Sequence, residues 1–225
     1  MAERNMPEVK GFLRDFRLSV PEEIYKCTGI KVLSKRIKSL LFSTDASIIK
    51  NSNADAIIAV YPFTPQPVIT QAVMTAADVP VFAGVGGGLT KGQRVINLAL
   101  HAEFQGAYGV VVNSPTQNNI IEELKRTVDI PVIVTIASDA DDIDARVSAG
   151  ADIFNVSAAA QTPDVVRKIK SKYPDFPVIA TGGQTKETIA ATIEAGANAI
   201  TWTPPSNGEI FKDIMDAYRH NLPHP

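Results

Sequence analysis

Hydroxyls and amides gathered just behind short apolar runs are the residues of this chain best placed to do chemistry. Ser43-Thr44-Asp45, Tyr61-Pro62-Phe63-Thr64, Asn113-Ser114, Thr135 to Asp139, Asn155-Val156-Ser157, Thr181-Gly182-Gly183-Gln184 and Thr201-Trp202-Thr203 each follow such a run, and together they hold no Lys, Arg, His or Cys. A Schiff base needs a lysine beside the substrate carbonyl, a nucleophilic triad needs a histidine, and a metal centre needs several His or carboxylate ligands together. None of these sets assembles. The catalytic set on offer is proton transfer by Asp45, with Asn113 and Asn155 holding a carbonyl or enolate oxygen. Asp45 has a rival reading as the N-cap of the helix that follows it. No metal and no cofactor is expected.

Two glycine stretches add binding groups. Gly182-Gly183 ends an apolar run and leads through Gln184 to a helix start at Thr185. Glycines there let backbone N–H groups approach an anion at a helix N-terminus. Gly182, Gly183, Gln184 and the later helix start at Ser206 are therefore candidate phosphate ligands, the alternative being a tight turn and nothing more. After Gly84-Val85-Gly86-Gly87-Gly88 no acidic residue about 20 positions on ends a second strand, as a dinucleotide fingerprint requires. Gly86 and Gly87 instead suggest that a ligand, or a neighbouring loop, lies on bare backbone, with Tyr61 and Trp202 as further substrate contacts.

These residues need a frame, and the chain repeats one. An X-Pro-Val strand start recurs at Val79-Pro80-Val81, Ile130-Pro131-Val132 and Phe176-Pro177-Val178. It alternates with helix ends that run into strands: Asn53-Ala54-Asp55, Gly106-Ala107-Tyr108, Gly150-Ala151-Asp152 and Gly196-Ala197-Asn198. The pattern predicts strands over 39–44, 56–63, 79–84, 108–113, 130–137, 153–157, 176–181 and 199–203, each followed by a helix. Continuous apolar runs suit strands buried on both faces. Eight such units in roughly 190 residues predict a single-domain α/β protein, a (β/α)8 TIM barrel over 39–225. Its working face is the carboxyl end of the strands, where the residues above lie. Thr64-Pro65, Ser114-Pro115 and Thr162-Pro163 read as helix starts; Thr90 to Gln93 and Ser206 to Glu209 read as capping boxes.

Residues 1–38 form a short helical N-terminal extension, with Phe12, Phe16 and Ile24 expected to plug the barrel bottom. The extension carries nine Lys/Arg against five Asp/Glu, and Lys31, Lys35, Arg36 and Lys38 read as a solvated helix face rather than a nucleic-acid patch. The whole chain has a net charge of −2, 45% hydrophobic and 20% charged residues, and a lone cysteine, Cys27. That composition fits a soluble cytoplasmic protein, and no apolar run is long enough for a membrane span. A homo-oligomer is expected to use His101, Phe104 and Tyr108.

From the third strand onward the motifs resemble the 2-keto-3-deoxy-6-phosphogluconate aldolase family of phosphate-binding (β/α)8 barrels. Gly84 to Gln93 is similar to that family's G-A-G-T-V-L-T-P-E-Q, Ser148 to Ala159 to its G-A-D-L-L-K-L-F-P-A, and Tyr173 to Gly183 to its approach to P-T-G-G. The resemblance implies the fold and half of a phosphate site. It departs at the chemistry. Asn155 stands at the Schiff-base lysine, Gly87 at the strand-3 threonine, and Pro204-Pro205-Ser206 at the second phosphate loop. The strand-2 glutamate and arginine have no counterpart. Two functions follow. One is a cofactor-free lyase or isomerase acting on a small phosphorylated sugar acid or keto compound. The other is a non-catalytic barrel that binds a phosphorylated metabolite and regulates a partner or RNA, as in the glycerol-operon antiterminators.

Overall fold

In a computed structural model the eight strands close into a parallel barrel. The structure describes residues 17–224, together with Pro7, Val9 and Gly11. A 3-10 helix at Glu22–Lys26 leads into an antiparallel hairpin of β1 (Ile30–Val32) and β2 (Lys35–Ile37). The barrel strands are β3 (Ser39–Phe42), β4 (Ala56–Ala59), β5 (Val81–Gly86), β6 (Gly109–Val112), β7 (Val132–Ile136), β8 (Ile153–Val156), β9 (Val178–Thr181) and β10 (Ala199–Trp202). They pair in chain order, and β10 closes on β3. Helices α1 (Ala46–Lys50), α2 (Pro67–Ala76), α3 (Gln93–Phe104), α4 (Asn118–Thr127), α5 (Ile143–Ser148), α6 (Thr162–Lys172), α7 (Lys186–Glu194) and α8 (Asn207–Arg219) each follow one strand. The predicted barrel is the observed one.

The apolar residues divide between two cores because side chains alternate along a strand. Leu41, Ile57, Ala83, Val110 and Val134 belong to the layer under the helices. Leu40, Ile58, Phe82, Val111, Ile133, Ile153 and Ile179 form the second cluster, which fills the bore. Ile30, Val32 and Ile37 of the hairpin join this inner cluster, so a hairpin, not a helix, plugs the bottom. Its turn places Leu33 and Ser34 at φ 41° and 70°, without the Asn or Gly that normally announces such a turn. Ile24 is buried instead in the outer layer, while Phe12 and Phe16 lie outside the described residues. The basic cluster sits on the hairpin. Arg36 donates to the carbonyl of Thr28, and Lys38 to that of Tyr25.

The repeated helix-to-strand phrase has a structural purpose. Asp55 Oδ2 accepts from the N–H groups of Lys38 and Ser39, Asp152 Oδ2 from Val132 N–H at 2.9 Å, and Asn198 Oδ1 from Val178 N–H at 3.0 Å. Each side chain thereby holds the start of the preceding strand. Asp152→Ala leaves the Val132 N–H without its acceptor, and a loss of about 1–3 kcal/mol in urea unfolding is expected. Ligand affinity should not change, because strand starts lie at the end of the barrel away from the mouth. A change in affinity would contradict this structural role.

Several helices begin later than their hydroxyl-Pro signals. α2 is capped at Gln66, α4 at Gln117 and α3 at Gly92, none through a side-chain bond. Ser114 donates to Asp141, Thr90 is buried, and Thr162 accepts from the Ala158 N–H one step inside its helix. The loop after β7 takes up the Ser114 hydroxyl, while that of Thr162 serves its own loop. The capping boxes at Thr185 and Ser206 are present.

Candidate functional site

Two residues beyond the inner apolar layer, five strands turn polar toward the bore. Val111 gives way to Asn113, Ile133 to Thr135, Ile153 to Asn155, Ile179 to Thr181 and Ala199 to Thr201. The period of two in a strand makes each pair share a face. With Ser157, Thr203, Phe42, Ile58 and Val60, these residues line a cavity of about 250 Å³ at the mouth. A second cavity, of about 320 Å³, opens beside it between the loops after β4 and β5 and shares Val60 and Asn113 with it.

The polar layer is incompletely paired. Asn155 Nδ2 donates to Thr135 Oγ1 at 3.3 Å, while Asn155 Oδ1 and Thr201 Oγ1 are buried with no partner among the described residues. Buried polar atoms normally find a partner, so these two await one from a ligand or water. The Asn113 backbone bonds Gly86 and Thr116, which leaves its side-chain amide exposed at the junction of the two cavities. Thr135, Thr181 and Thr201 stand among the strand-end hydroxyls of the sequence, but no role was assigned to them there. Their position two residues after the last inward apolar residue was the signal for them.

Asp45 does not face the bore. Its Oδ1 accepts from Ser47 N–H at 2.8 Å, Ile48 N–H at 3.1 Å and the Ser47 hydroxyl at 2.7 Å, and Oδ2 accepts from Asn207 Nδ2 at 2.6 Å. It caps α1 and ties it to α8. The Ser47 hydroxyl, followed by the backbone N–H groups and Asn207, holds its carboxyl below the usual carboxylate range. A general base at neutral pH needs the opposite shift, so the expected proton transfer by Asp45 is corrected to a cap and clasp. The clasp is fully present above the unfolded pKa of about 3.9 and is lost as pH falls through the lower folded value. Asp45→Asn should therefore cost stability near neutral pH, and the cost should shrink in urea titrations carried below the unfolded pKa of about 3.9. A gap that persists undiminished into acid would overturn this account.

The glycine turn after β9 supports itself. Gly183 has φ +78°, and a Cβ there would stand 2.5 Å from Thr188 Oγ1; a Cβ on buried Gly182 would stand 2.7 Å from Ile200 Cγ2. The exposed N–H groups of Gly183 and Gln184 donate to no acceptor among the described residues. Ser206 is more committed. Its N–H and hydroxyl both donate to Glu209 Oε2 at 2.7 Å, so the N–H groups of Asn207 and Gly208 are what α8 offers an anion. Glu187 and Glu209 already stand in the first turns of α7 and α8, so direct N–H donation, rather than the helix dipole, must hold an anion here.

Of the remaining candidates, Tyr61 and Gly86 line the side cavity, and the Tyr61 hydroxyl accepts from Gln66 N–H. Gly87 does not. Its φ is +99°, and Thr116 Oγ1 and the Asn113 backbone fill the space of its Cβ, so the neighbouring loop lies on it rather than a ligand. Trp202 faces outward, packed against the layer under the helices, while Thr201 and Thr203 face the mouth. Phe104 is exposed and Tyr108 packs against the inner cluster. Among the described residues, no group of three or more His, Cys, Asp or Glu is placed to hold a metal ion, and no helix is long and apolar enough to cross a membrane.

No family model matches the chain, and no curated protein matches it. Solved structures do match in fold. Phosphonopyruvate hydrolase, determined with oxalate and Mg++, superposes with a TM-score of 0.62 at 14% identity, covering 85% of each chain. 2,3-Dimethylmalate lyase, a member of the PEP mutase/isocitrate lyase superfamily, gives 0.60 at 13% identity over 81% of this chain and 79% of its own. An aldolase, QR15, gives 0.58 at 19% identity over 85% and 99%. These likenesses establish the barrel.

Proposed function

We propose that the mouth of the barrel takes a small phosphorylated sugar acid or keto compound and that the protein is a cofactor-free cytoplasmic lyase or isomerase, working without a lysine Schiff base. It would be a relative of the 2-keto-3-deoxy-6-phosphogluconate aldolase branch with altered chemistry. The observation that carries this reading is the pair of buried, unpartnered oxygens of Asn155 and Thr201 inside a ring of neutral polar side chains. The phosphate rests on the N–H groups of Gly183 and Gln184 and on the start of α8. Asn113, Asn155 and the threonine hydroxyls hold the reacting oxygen, and neutral donors fixed in a partly dry site stabilise an enolate better than water does. The names of the fold neighbours, a hydrolase, a lyase and an aldolase, agree with this class of chemistry.

A second reading, a barrel that binds the metabolite without turning it over, is favoured by the commitment of Asp45 to the clasp. One experiment separates the two. A thermal-shift screen of phosphorylated sugars, sugar acids and keto compounds should find a stabilising ligand, worth about 2.7 kcal/mol at 100 times its Kd. Proton NMR of that ligand with the protein then shows consumption for a lyase or isomerase, and an unchanged spectrum for a sensor. A screen without any stabilising phosphate ester would sink both.

A further inference from the structure

The mouth of the barrel is two-sided. The inward residues ending β6 to β10 are amides and hydroxyls, but those ending β3, β4 and β5 are Phe42, Val60 and Gly84. The side cavity opens from this apolar sector. Its walls are Tyr61, Pro62, Phe63, Pro65 and Leu89 with Thr64 and Thr90 between them, and its floor is the bare backbone of Gly84 and Gly86. Phe63 and Leu89 stand at its rim with 73% and 96% of their surface in solvent. The register shift between Gly84 and Gly86 against β6 bends the strand end where the cavity begins, as an inserted residue does.

Among the described residues, neither cavity has an ionisable lining residue apart from the Tyr61 phenol. Lys91, close in sequence, lines a separate small cavity behind the loop with Gly92 and Thr116. Lys50 is paired with Asp78 on the outer surface. A carboxylate drawn into the bore would lose its water without meeting a cation, and an unpaired charge is costly to bury. Asn155 Oδ1 accepts hydrogen bonds, and the Thr201 hydroxyl both donates and accepts, a set that suits hydroxyls and carbonyls. At the junction, the unpartnered Asn113 amide can hold a polar atom that links the two cavities.

We propose that the ligand, beyond its phosphate, is uncharged and in two parts: a hydroxyl-bearing head in the bore and an apolar aryl or alkyl group in the side cavity. This inference rests on the phosphate reading above and narrows it, removing sugar acids and keto acids from the candidate class. The phosphate turn after β9 and the side cavity between the β4 and β5 loops lie on different sectors of the mouth, so such a ligand spans the opening.

Isothermal titration with four phosphate monoesters tests it: glucose 6-phosphate, 6-phosphogluconate, phenyl β-glucoside 6-phosphate and its 4-carboxyphenyl counterpart. The phenyl compound should bind about tenfold tighter than glucose 6-phosphate, and each carboxylate about tenfold weaker than its uncharged partner. Carboxylates that bind as well as their partners, or better, overturn the inference and leave the phosphate reading standing. Binding of none of the four sinks the phosphate reading and this inference with it. The double variant Phe63→Glu, Leu89→Glu changes two exposed side chains and should keep its fold by circular dichroism. It should lower the phenyl compound to the affinity of glucose 6-phosphate, and an undiminished preference for the phenyl group would remove that group from the cavity.

Discussion

Replacing Gly183 by Val is expected to abolish recognition of phosphate esters while leaving their unphosphorylated counterparts at parental affinity. Three physical effects converge at this position. The backbone has φ +78°, a region that a β-branched residue occupies at a cost of about 1–3 kcal/mol. The new Cβ would meet Thr188 Oγ1 at 2.5 Å, and that oxygen belongs to the capping box that starts α7. The side chain would also stand beside the N–H groups that approach the phosphate, so a phosphate ester should lose at least about a hundredfold in affinity, the scale of two charge-assisted hydrogen bonds. The midpoint of thermal unfolding should fall by roughly 3–10 °C. A fraction of unfolded variant would weaken every ligand alike, so the informative quantity is the ratio of affinities for an ester and its parent alcohol, measured where the variant is folded. A ratio that stays at its parental value would reduce the turn to a structural element.

The second large effect concerns Asn155, the residue that the sequence resemblance sets against the aldolases' lysine. With its Oδ1 buried and unpartnered in the bore, its side chain already points to where a substrate carbon would lie. Asn155→Lys brings a primary amine among Thr135, Thr181 and Thr201, with no carboxylate to hold its proton. Desolvation should depress its pKa and raise the share of neutral amine. Borohydride in the presence of dihydroxyacetone should then trap a covalent adduct at this residue, seen by peptide mass spectrometry, whereas the parent protein traps none. Turnover should stay poor, because no acid or base among the described residues lines the bore. Trapping by the parent at Lys50 or Lys91 would overturn the reading and restore a lysine aldolase with a relocated amine. The test should be made below the unfolding temperature of the variant, since a partly buried amine costs stability.

Much of this architecture could be read in the residues before any coordinates. The eight strands announce themselves because a parallel barrel buries both faces of each strand, so a run such as Ala56–Ala59 is apolar throughout. The helix start at Thr185 and the capping box at Ser206 are local patterns with local causes, and both form, whereas the box read at Thr90 does not, α3 being capped at Gly92 without a side-chain bond. So does the Asp45 cap, one of the two roles its neighbourhood allowed. The neutrality of the strand ends was equally visible, and it is the main constraint on the chemistry.

What the chain alone left open depends on register and on contacts between distant segments. The face that Trp202 presents is fixed by where β10 pairs with β3 and β9; a shift of one residue would have sent Trp202 inward and Thr201 outward. Ser114 carries a cap-like sequence, yet Asp141 in the next loop takes up its hydroxyl, and only the closed barrel brings those two loops together. The hairpin that plugs the bottom has no turn signature at Leu33-Ser34, and its Ile30, Val32 and Ile37 find their place only once the bore exists to receive them. Sequence determined the units and the polarity of their ends, since both follow from burial along one stretch of chain. Tertiary structure decided which side chains meet, since that follows from closure of the ring.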